Sequence, residues 1–257
     1  MPIITLTTDY GLQSHHLVNL RARLLFTIND VNIVDIMHNA VPFHLSEATF
    51  MLKNTIFNFP VGTIHFMTIG AQNIPNFKFV LAVCKGQYLI APDNGFAGLL
   101  LSELDAKYYY VNLPFDNNLD AVREIYCGAA EHLIKSNYEI DEKHFDPLTT
   151  MILTSGEKIV KHPNSMRIPI TYVDNFGNAY SNLSKIEFDE FVLGEKFAIR
   201  ISRDELIHRI NRDYNEVPKG FVLARFGFED QLQIAINGGS ASQLFDLQKG
   251  QYFIIEK

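Results

Sequence analysis

Asp9 stands at the end of the first β-rich run, Ile3 to Thr8, two residues before Gly11. A carboxylate there can accept hydrogen bonds from two sugar hydroxyls at once. It can equally cap an Asx turn ahead of the glycine. Far along the chain, Asp174-Asn175-Phe176-Gly177-Asn178 places an aromatic ring between a carboxylate and an amide. The ring can stack on a flat heterocycle, the amide can pair with a purine edge, and the carboxylate can hold an ammonium group. The same five residues also spell a hairpin turn with one core phenylalanine. Pro92-Asp93-Asn94-Gly95 is a β-turn signal. Asp35 and His38 could share a metal with His15, His16 or His65, but their spacing matches no metal-ligand set, and no metal is expected.

These residues need elements to hold them. The first 135 residues alternate short β-rich runs with helical patterns. The strand-like runs are Ile3–Thr8, Val31–Ile36, Gly62–Ile69, the stretch ending at Cys84, Gln87–Pro92 and Lys107–Asn112. Between them, apolar residues recur at helical spacing over 13–28, 45–57 and 119–136, with a short apolar helix from Gly95. This order predicts an α/β domain over residues 1–150 with a mostly parallel sheet covered by helices. Residues 137–164, broken by Asp146-Pro147, Ser155-Gly156 and His162-Pro163, read as a linker. Beyond them come short strand-like runs with turn signals, among them Arg167–Asn175, Lys196–Ser202, Gly220–Phe226 and Gln251–Lys257. They predict an antiparallel β-barrel domain over residues 165–257.

Composition excludes several classes. The chain has 257 residues, 47% of them hydrophobic, and a net charge of −7. It carries no lysine- or arginine-rich run, so neither nucleic acid nor an anionic membrane is an expected partner. Cys84 and Cys127 both lie in apolar runs and read as buried thiols. No run reaches the ~18 apolar residues of a membrane span, and no basic leader precedes one. The expectation is a soluble cytoplasmic protein.

Five stretches together resemble one family. They are Thr7-Thr8-Asp9-Tyr10-Gly11, Val34-Asp35-Ile36-Met37-His38 with Pro42, Ala91-Pro92-Asp93-Asn94-Gly95, Asp174 to Asn178, and Asn237-Gly238-Gly239-Ser240-Ala241. Their order and spacing resemble the S-adenosylmethionine hydroxide adenosyltransferases, whose relatives include the fluorinase and chlorinase. The resemblance implies a fluorinase-like α/β N-terminal domain and β-barrel C-terminal domain. It also implies a homotrimer, with each site between the N-domain of one subunit and the C-domain of the next. S-adenosylmethionine is the implied substrate or ligand, with no separate cofactor. Asp9 falls on the ribose position. Phe43 falls beside the ligand, and Phe176 and Asn178 face adenine. Asp174 faces the methionine ammonium, and Gly238 and Ala241 lie in the segment of backbone contacts to adenine. The short connection from Cys84 to Ala91 lacks the extra loop of the fluorinase and is hydrolase-like.

The sequence also departs from that family. Its hydrolases hold and activate water with an aspartate, an arginine and a histidine, so that water attacks C5′ as methionine leaves. The aspartate position falls on Gly70, the arginine on Phe77 and the histidine on Ala121, the last aligned through Arg123-Glu124-Ile125. Ser14 stands where relatives carry a second acidic residue. Two readings follow. One is an adenosyl-transferring enzyme with weak or absent hydrolysis, or one acting on another adenosine 5′-derivative. The other is a non-catalytic receptor for adenosine or S-adenosylmethionine. His15, His16, Gln72, Asn73 and Glu124 lie near enough in sequence to replace the missing groups.

Overall fold

A computed structural model describes residues 1–42, 44–71, 78–113, 121–149, 154, 156–227 and 230–257. They form two compact units, Met1–Gly156 and Glu157–Lys257.

The first unit contains β1 (Ile3–Thr7), α1 (His15–Thr27), β2 (Asn32–Met37), α2 (Leu45–Lys53), β3 (Ile64–Met67), β4 (Phe79–Cys84) and β5 (Gln87–Pro92). It continues through α3 (Phe96–Leu101), β6 (Ala106–Val111), α4 (Ala121–Lys135) and β7 (Phe145–Pro147). The seven strands make one sheet in the order β2-β1-β3-β5-β4-β6-β7. Its two faces follow from side-chain alternation along each strand. Ile4, Leu6, Ile64, Phe66, Leu81 and Ile90 pack with α1 and α4. Met67, Val80, Ala82, Leu89 and Ala91 pack with α2 and α3. Burial on both faces explains why β3, β4 and β5 read as nearly unbroken apolar runs.

The expectation of a mostly parallel sheet is corrected. β2, β1, β3 and β5 are mutually parallel, but β5–β4, β4–β6 and β6–β7 are antiparallel. The cause is local. Only Lys85 and Gly86 join β4 to β5, both at positive φ (49° and 77°). A two-residue connection closes a hairpin, whereas parallel neighbours need a crossover of a dozen residues or more. Moreover, β7 lies inside the stretch read as linker. Its anchor is Phe145, fully buried against α4 among polar neighbours that masked it.

The second unit contains β8 (Val160–Lys161), β9 (Ser165–Val173), β10 (Ala179–Ser184), α5 (Lys185–Val192), β11 (Ala198–Arg200) and β12 (Leu206–Ile207). It ends with β13 (Ile210–Asn211), β14 (Val222–Phe226), β15 (Gln231–Ile236), α6 (Ala241–Phe245) and β16 (Tyr252–Glu256). The strands follow the order β12-β11-β16-β9-β10-β15-β14-β13, with β8 beside β9. All pairings are antiparallel except β13 with β14. β12 meets β14 across the ends, so the sheet is nearly closed and barrel-like. Its interior is filled by Met166, Ile168, Ile170, Leu232, Ile234, Phe253 and Ile255. A capping box at Ser184 and Glu187 starts α5.

Candidate functional site

In the first unit, the polar motifs gather at the carboxyl ends of the parallel strands, where open α/β sheets bind ligands. The turn after β1 lies on the end of β2: Thr8 N–H donates to Met37 O (2.9 Å) and Gly11 N–H to His38 O (2.7 Å). Thr8 Oγ1 is hydrogen-bonded to His38 Nδ1 at 3.0 Å. On the other side, Gly70 N–H donates to Asp9 Oδ2 at 3.1 Å, joining the ends of β1 and β3. Asn94 Nδ2 donates to Ile69 O at 3.0 Å and ties in the turn after β5. Four stretches remote in sequence thus form one polar edge. Burial pushes the Asp9 carboxyl above the usual carboxylate range, against the Gly70 and Asp9 N–H groups, which lower it. Burial likewise raises the Tyr10 phenol. Its ring lies 5.6 Å from that of His16, which stacks at 4.0 Å on His15.

Asp35 and His38 are committed within the fold. His38 is buried, with Nε2 2.9 Å from Asp35 Oδ1. Asp35 also pairs with Arg21. His65 lies in the core between Thr5 (2.8 Å) and Gln87 (3.2 Å). Gln87 Nε2 donates to the carbonyls of Phe59 and Pro60, so Gln87 Oε1 faces His65 and fixes the Nε2–H tautomer.

The positions aligned with the water-activating set carry no polar side chain where the structure describes them. Gly70 is at φ +70° and presents its backbone N–H to Asp9. Ala121 is the first residue of α4 and is buried. Phe77 and Phe43, like Gln72 and Asn73, lie outside the described residues. Glu124 is clasped by Arg23, with three contacts of 2.8–3.2 Å, and by Arg123 Nε at 3.2 Å. Burial acts to raise its pKa, but the two arginines prevail and hold it below the usual range. That makes it a poor proton acceptor. Ser14 caps α1, accepting from His16 N–H at 3.2 Å.

In the second unit, the Asp174–Asn178 turn is organised by its carboxylate. Asp174 Oδ1 accepts from the N–H groups of Phe176 (3.0 Å) and Asn178 (2.9 Å). Asp174 Oδ2 accepts from Asn178 Nδ2 (2.9 Å) and the Tyr180 hydroxyl (3.0 Å). Burial first, and then Asp174, push the Tyr180 phenol well up. Gly177 O accepts from Ser242 N–H at 2.8 Å, which brings the turn against the Asn237–Ala241 segment. Between them opens a cavity of about 520 Å³ lined by Phe176, Asn178, Tyr214, Ile236 and residues 237–240. Phe176 is 80% exposed at this cavity, whereas Asn178 is buried. Gly238 lines it, and Ala241 is fully buried as the first residue of α6. The fold therefore gathers Asp174, Phe176, Asn178 and Gly238.

Tyr214 escaped the sequence reading. It is held by Gln233 Nε2, which donates to the hydroxyls of both Tyr214 and Tyr180 at 2.8 Å. The Arg225 guanidinium lies 5.0 Å over its ring. Only the barrel register brings Tyr214, Gln233 and Tyr180 together, so no local pattern announces them.

An α/β unit with its polar motifs at the strand ends, followed by a barrel-like unit with an aromatic-fronted cavity, defines a two-domain protein of the α/β-plus-β-barrel class. The chain belongs to the S-adenosylmethionine hydroxide adenosyltransferase family: residues 4–142 match the N-terminal domain of that family and residues 168–253 its C-terminal domain. An (R)-S-adenosyl-L-methionine hydrolase of Methanocaldococcus jannaschii is 26% identical over 204 residues, 73% of this chain and 69% of the relative. A protein of the same name from Thermus thermophilus is 22% identical over 258 residues, covering 95% of each chain. Among solved structures, a conserved protein of Thermotoga maritima superimposes with a TM-score of 0.83 at 23% identity, covering 100% of both chains. One from Thermus thermophilus gives 0.72 at 21% identity, covering 99% of this chain and 98% of that one. These two likenesses establish the fold. Among the described residues, no helix is long and apolar enough to cross a membrane.

Proposed function

We propose that this chain binds the adenosine moiety of S-adenosylmethionine, or of a related adenosine 5′-derivative, and hydrolyses S-adenosylmethionine weakly or not at all. The observation that carries the reading is the cavity beside Phe176, Asn178 and Gly238. Its volume, about 520 Å³, suits a nucleoside-sized ligand. Phe176 supplies the stacking face for adenine. Asn178 has its Nδ2 committed to Asp174, which leaves its carbonyl for the purine amine. Gly238 allows the ligand to approach backbone. Asp174 contributes negative charge toward the methionine ammonium, and Asp9 takes the ribose hydroxyls. Phe43 and Ala241 complete the proposed ligand set by family position.

Phe176 is left 80% exposed, as expected of half a site. We infer a homotrimer in which Asp9 of one subunit faces Phe176 and Asn178 of its neighbour. Light scattering reporting a monomer at micromolar concentration refutes that assembly.

In the reaction of the family, water attacks C5′, the C5′–S bond breaks, and adenosine, methionine and a proton are released. The sulfonium leaves readily, so the protein's task is to desolvate and aim the water. Gly70 and Ala121 offer no side-chain donor or acceptor for it. This favours ligand binding over fast hydrolysis. Calorimetry with adenosine and with S-adenosylmethionine tests the reading. Binding of either is expected, and Asp9→Ala should weaken it about tenfold to a hundredfold, the cost of hydrogen bonds to a charged acceptor. No binding of either compound to the wild type refutes it.

A further inference from the structure

We propose that His132, Asp141 and His144 form a binding site for a divalent transition-metal ion of the zinc, cobalt or nickel type. His132 lies in the last turn of α4, and the other two lie in the turn that leads into β7. His132 Nε2 is 2.5 Å from Asp141 Oδ2, and His144 Nδ1 is 2.7 Å from Asp141 Oδ1. One donor atom from each residue falls within 4.8 Å of the others. The imidazole rings lie beside each other, centroids 3.9 Å apart at 38°, and each turns one nitrogen to the Asp141 carboxylate.

The backbone holds this arrangement without any ion. Ser136 N–H donates to His132 O (2.9 Å), and Tyr138 N–H to Leu133 O (2.6 Å), closing the end of α4. His144 N–H donates to Asp141 Oδ1 (3.1 Å), and Phe145 N–H to Asp141 O (3.0 Å), closing the second turn. Leu133 and Phe145, next in sequence to the two histidines, are fully buried. The ligands therefore sit on anchored backbone and need little ordering.

Ligand chemistry selects the ion. Two imidazoles and one carboxylate suit zinc, cobalt or nickel better than magnesium or calcium, which prefer all-oxygen shells. Binding displaces the protons that now bridge the rings to Asp141. The two nitrogen–oxygen contacts, now 2.5 and 2.7 Å, must also open to about 3.3 Å, the edge of a tetrahedron with ~2.0 Å bonds. The side chains keep 24%, 42% and 24% exposure for His132, Asp141 and His144, so solvent can supply a fourth ligand. The partial negative charge at the carboxyl end of α4 favours a cation there.

His132 is eleven residues beyond Ala121, roughly 16 Å along α4. The ion thus lies away from the start of that helix, where the family's histidine falls, and its role is to clip the end of α4 to the edge strand β7.

The test uses the full-length, tag-free chain after chelator treatment, titrated with cobalt(II) by visible absorption and with zinc(II) by calorimetry. The expected result is one equivalent per chain with a micromolar or tighter Kd, a four- or five-coordinate cobalt spectrum, and a zinc-dependent rise in melting temperature. His144→Gln, a change in a surface turn, should weaken binding about a hundredfold, since one of three protein ligands is lost. His132→Gln should do the same; if that variant fails to fold, His144→Gln still decides. No saturable binding below millimolar metal overturns the proposal. So does one-equivalent binding that His144→Gln leaves unchanged, which would move the ion to the stacked pair His15 and His16.

Discussion

A β-carbon on Gly177 would lie 1.9 Å from Ser240 Oγ and 2.7 Å from Ser240 Cβ. Only a residue without a side chain lets the Asp174–Asn178 turn close on the Asn237–Ala241 segment. Gly177 is also at φ +81°, where an alanine is strained regardless of space. Gly177→Ala should cost about 2–4 kcal/mol, adding that strain to overpacking against backbone-anchored Ser240. In thermal unfolding the C-terminal unit should melt roughly 10 °C lower or more. Adenosine binding should weaken in parallel, because the cavity lies between the two segments. An unchanged melting temperature would mean that the turn and the segment are free to separate.

Asp174 offers a second handle on the same turn. Its carboxylate accepts from two backbone N–H groups, one amide and one hydroxyl. Asp174→Asn replaces an acceptor oxygen with an NH2 group that must face donors. A cost of about 2–4 kcal/mol follows from the lost charge-assisted bonds. Besides burial, Asp174 raises the Tyr180 phenol. The substitution should therefore bring the Tyr180 ionisation down towards the ordinary tyrosine value. Absorbance titration of tyrosinate in the two proteins checks this; identical curves would show that burial alone sets it.

His65 makes stability depend on pH. Burial pushes its pKa down from 6.5 to about 4, partly opposed by the Gln87 hydrogen bond. As pH falls, the unfolded chain takes up this proton before the folded one does. The stability associated with neutral His65 is thus whole above about pH 6.5, declines below it, and stops declining under about pH 4, a loss of at most about 3 kcal/mol. His65→Leu should lose stability at neutral pH, because Thr5 and Gln87 lose their partner. It should also flatten the acid slope. Urea unfolding at pH 7.5, 6, 5 and 4.5 reads both, and the gap between the two proteins should narrow with acid. A constant gap would place the titration elsewhere.

The legibility of the sequence followed the range of the forces involved. Strands β1 to β5 and helices α1, α2 and α4 were visible because the hydrophobic period is local. The antiparallel half of the first sheet is legible only in the two-residue connection Lys85-Gly86, which is too short for a parallel crossover. β7 was missed because three residues anchored by a single phenylalanine carry no period. Among site residues, Asp174, Phe176 and Asn178 share one turn, and five consecutive residues suffice to suggest their proximity. Tyr214 needs three strands in register before it meets Gln233. His132 meets Asp141 and His144 only because the chain reverses after α4. Their positions in sequence follow no fixed ligand spacing.

Catalysis is the sharpest test of what this chain has become. Hydrolysis of S-adenosylmethionine should be slower than in relatives that keep the full activating set by about 10²–10⁴-fold, the usual cost of losing a positioned base or orienter. Gly70 gives Asp9 a backbone N–H, Ala121 is a buried methyl at the start of α4, and Glu124 is neutralised by Arg23 and Arg123. None of these supplies a side-chain base for water. Restoring one residue should recover little, since groups that act as a unit are strongly non-additive. The triple change Gly70→Asp, Phe77→Arg and Ala121→His is the informative one. Aspartate is among the few side chains tolerated at a φ of +70°, so the first change is feasible where most would be strained. Histidine at Ala121 must enter a position now 1% exposed, and its success depends on the helix start yielding. A rise in turnover in the triple variant, measured beside the wild type by chromatography of adenosine and methionine, would show that the binding site is otherwise intact. A wild-type rate within tenfold of an intact hydrolase would mean that another group orients the water. His16, whose ring lies 5.6 Å from that of Tyr10 beside Asp9, is then the first residue to change.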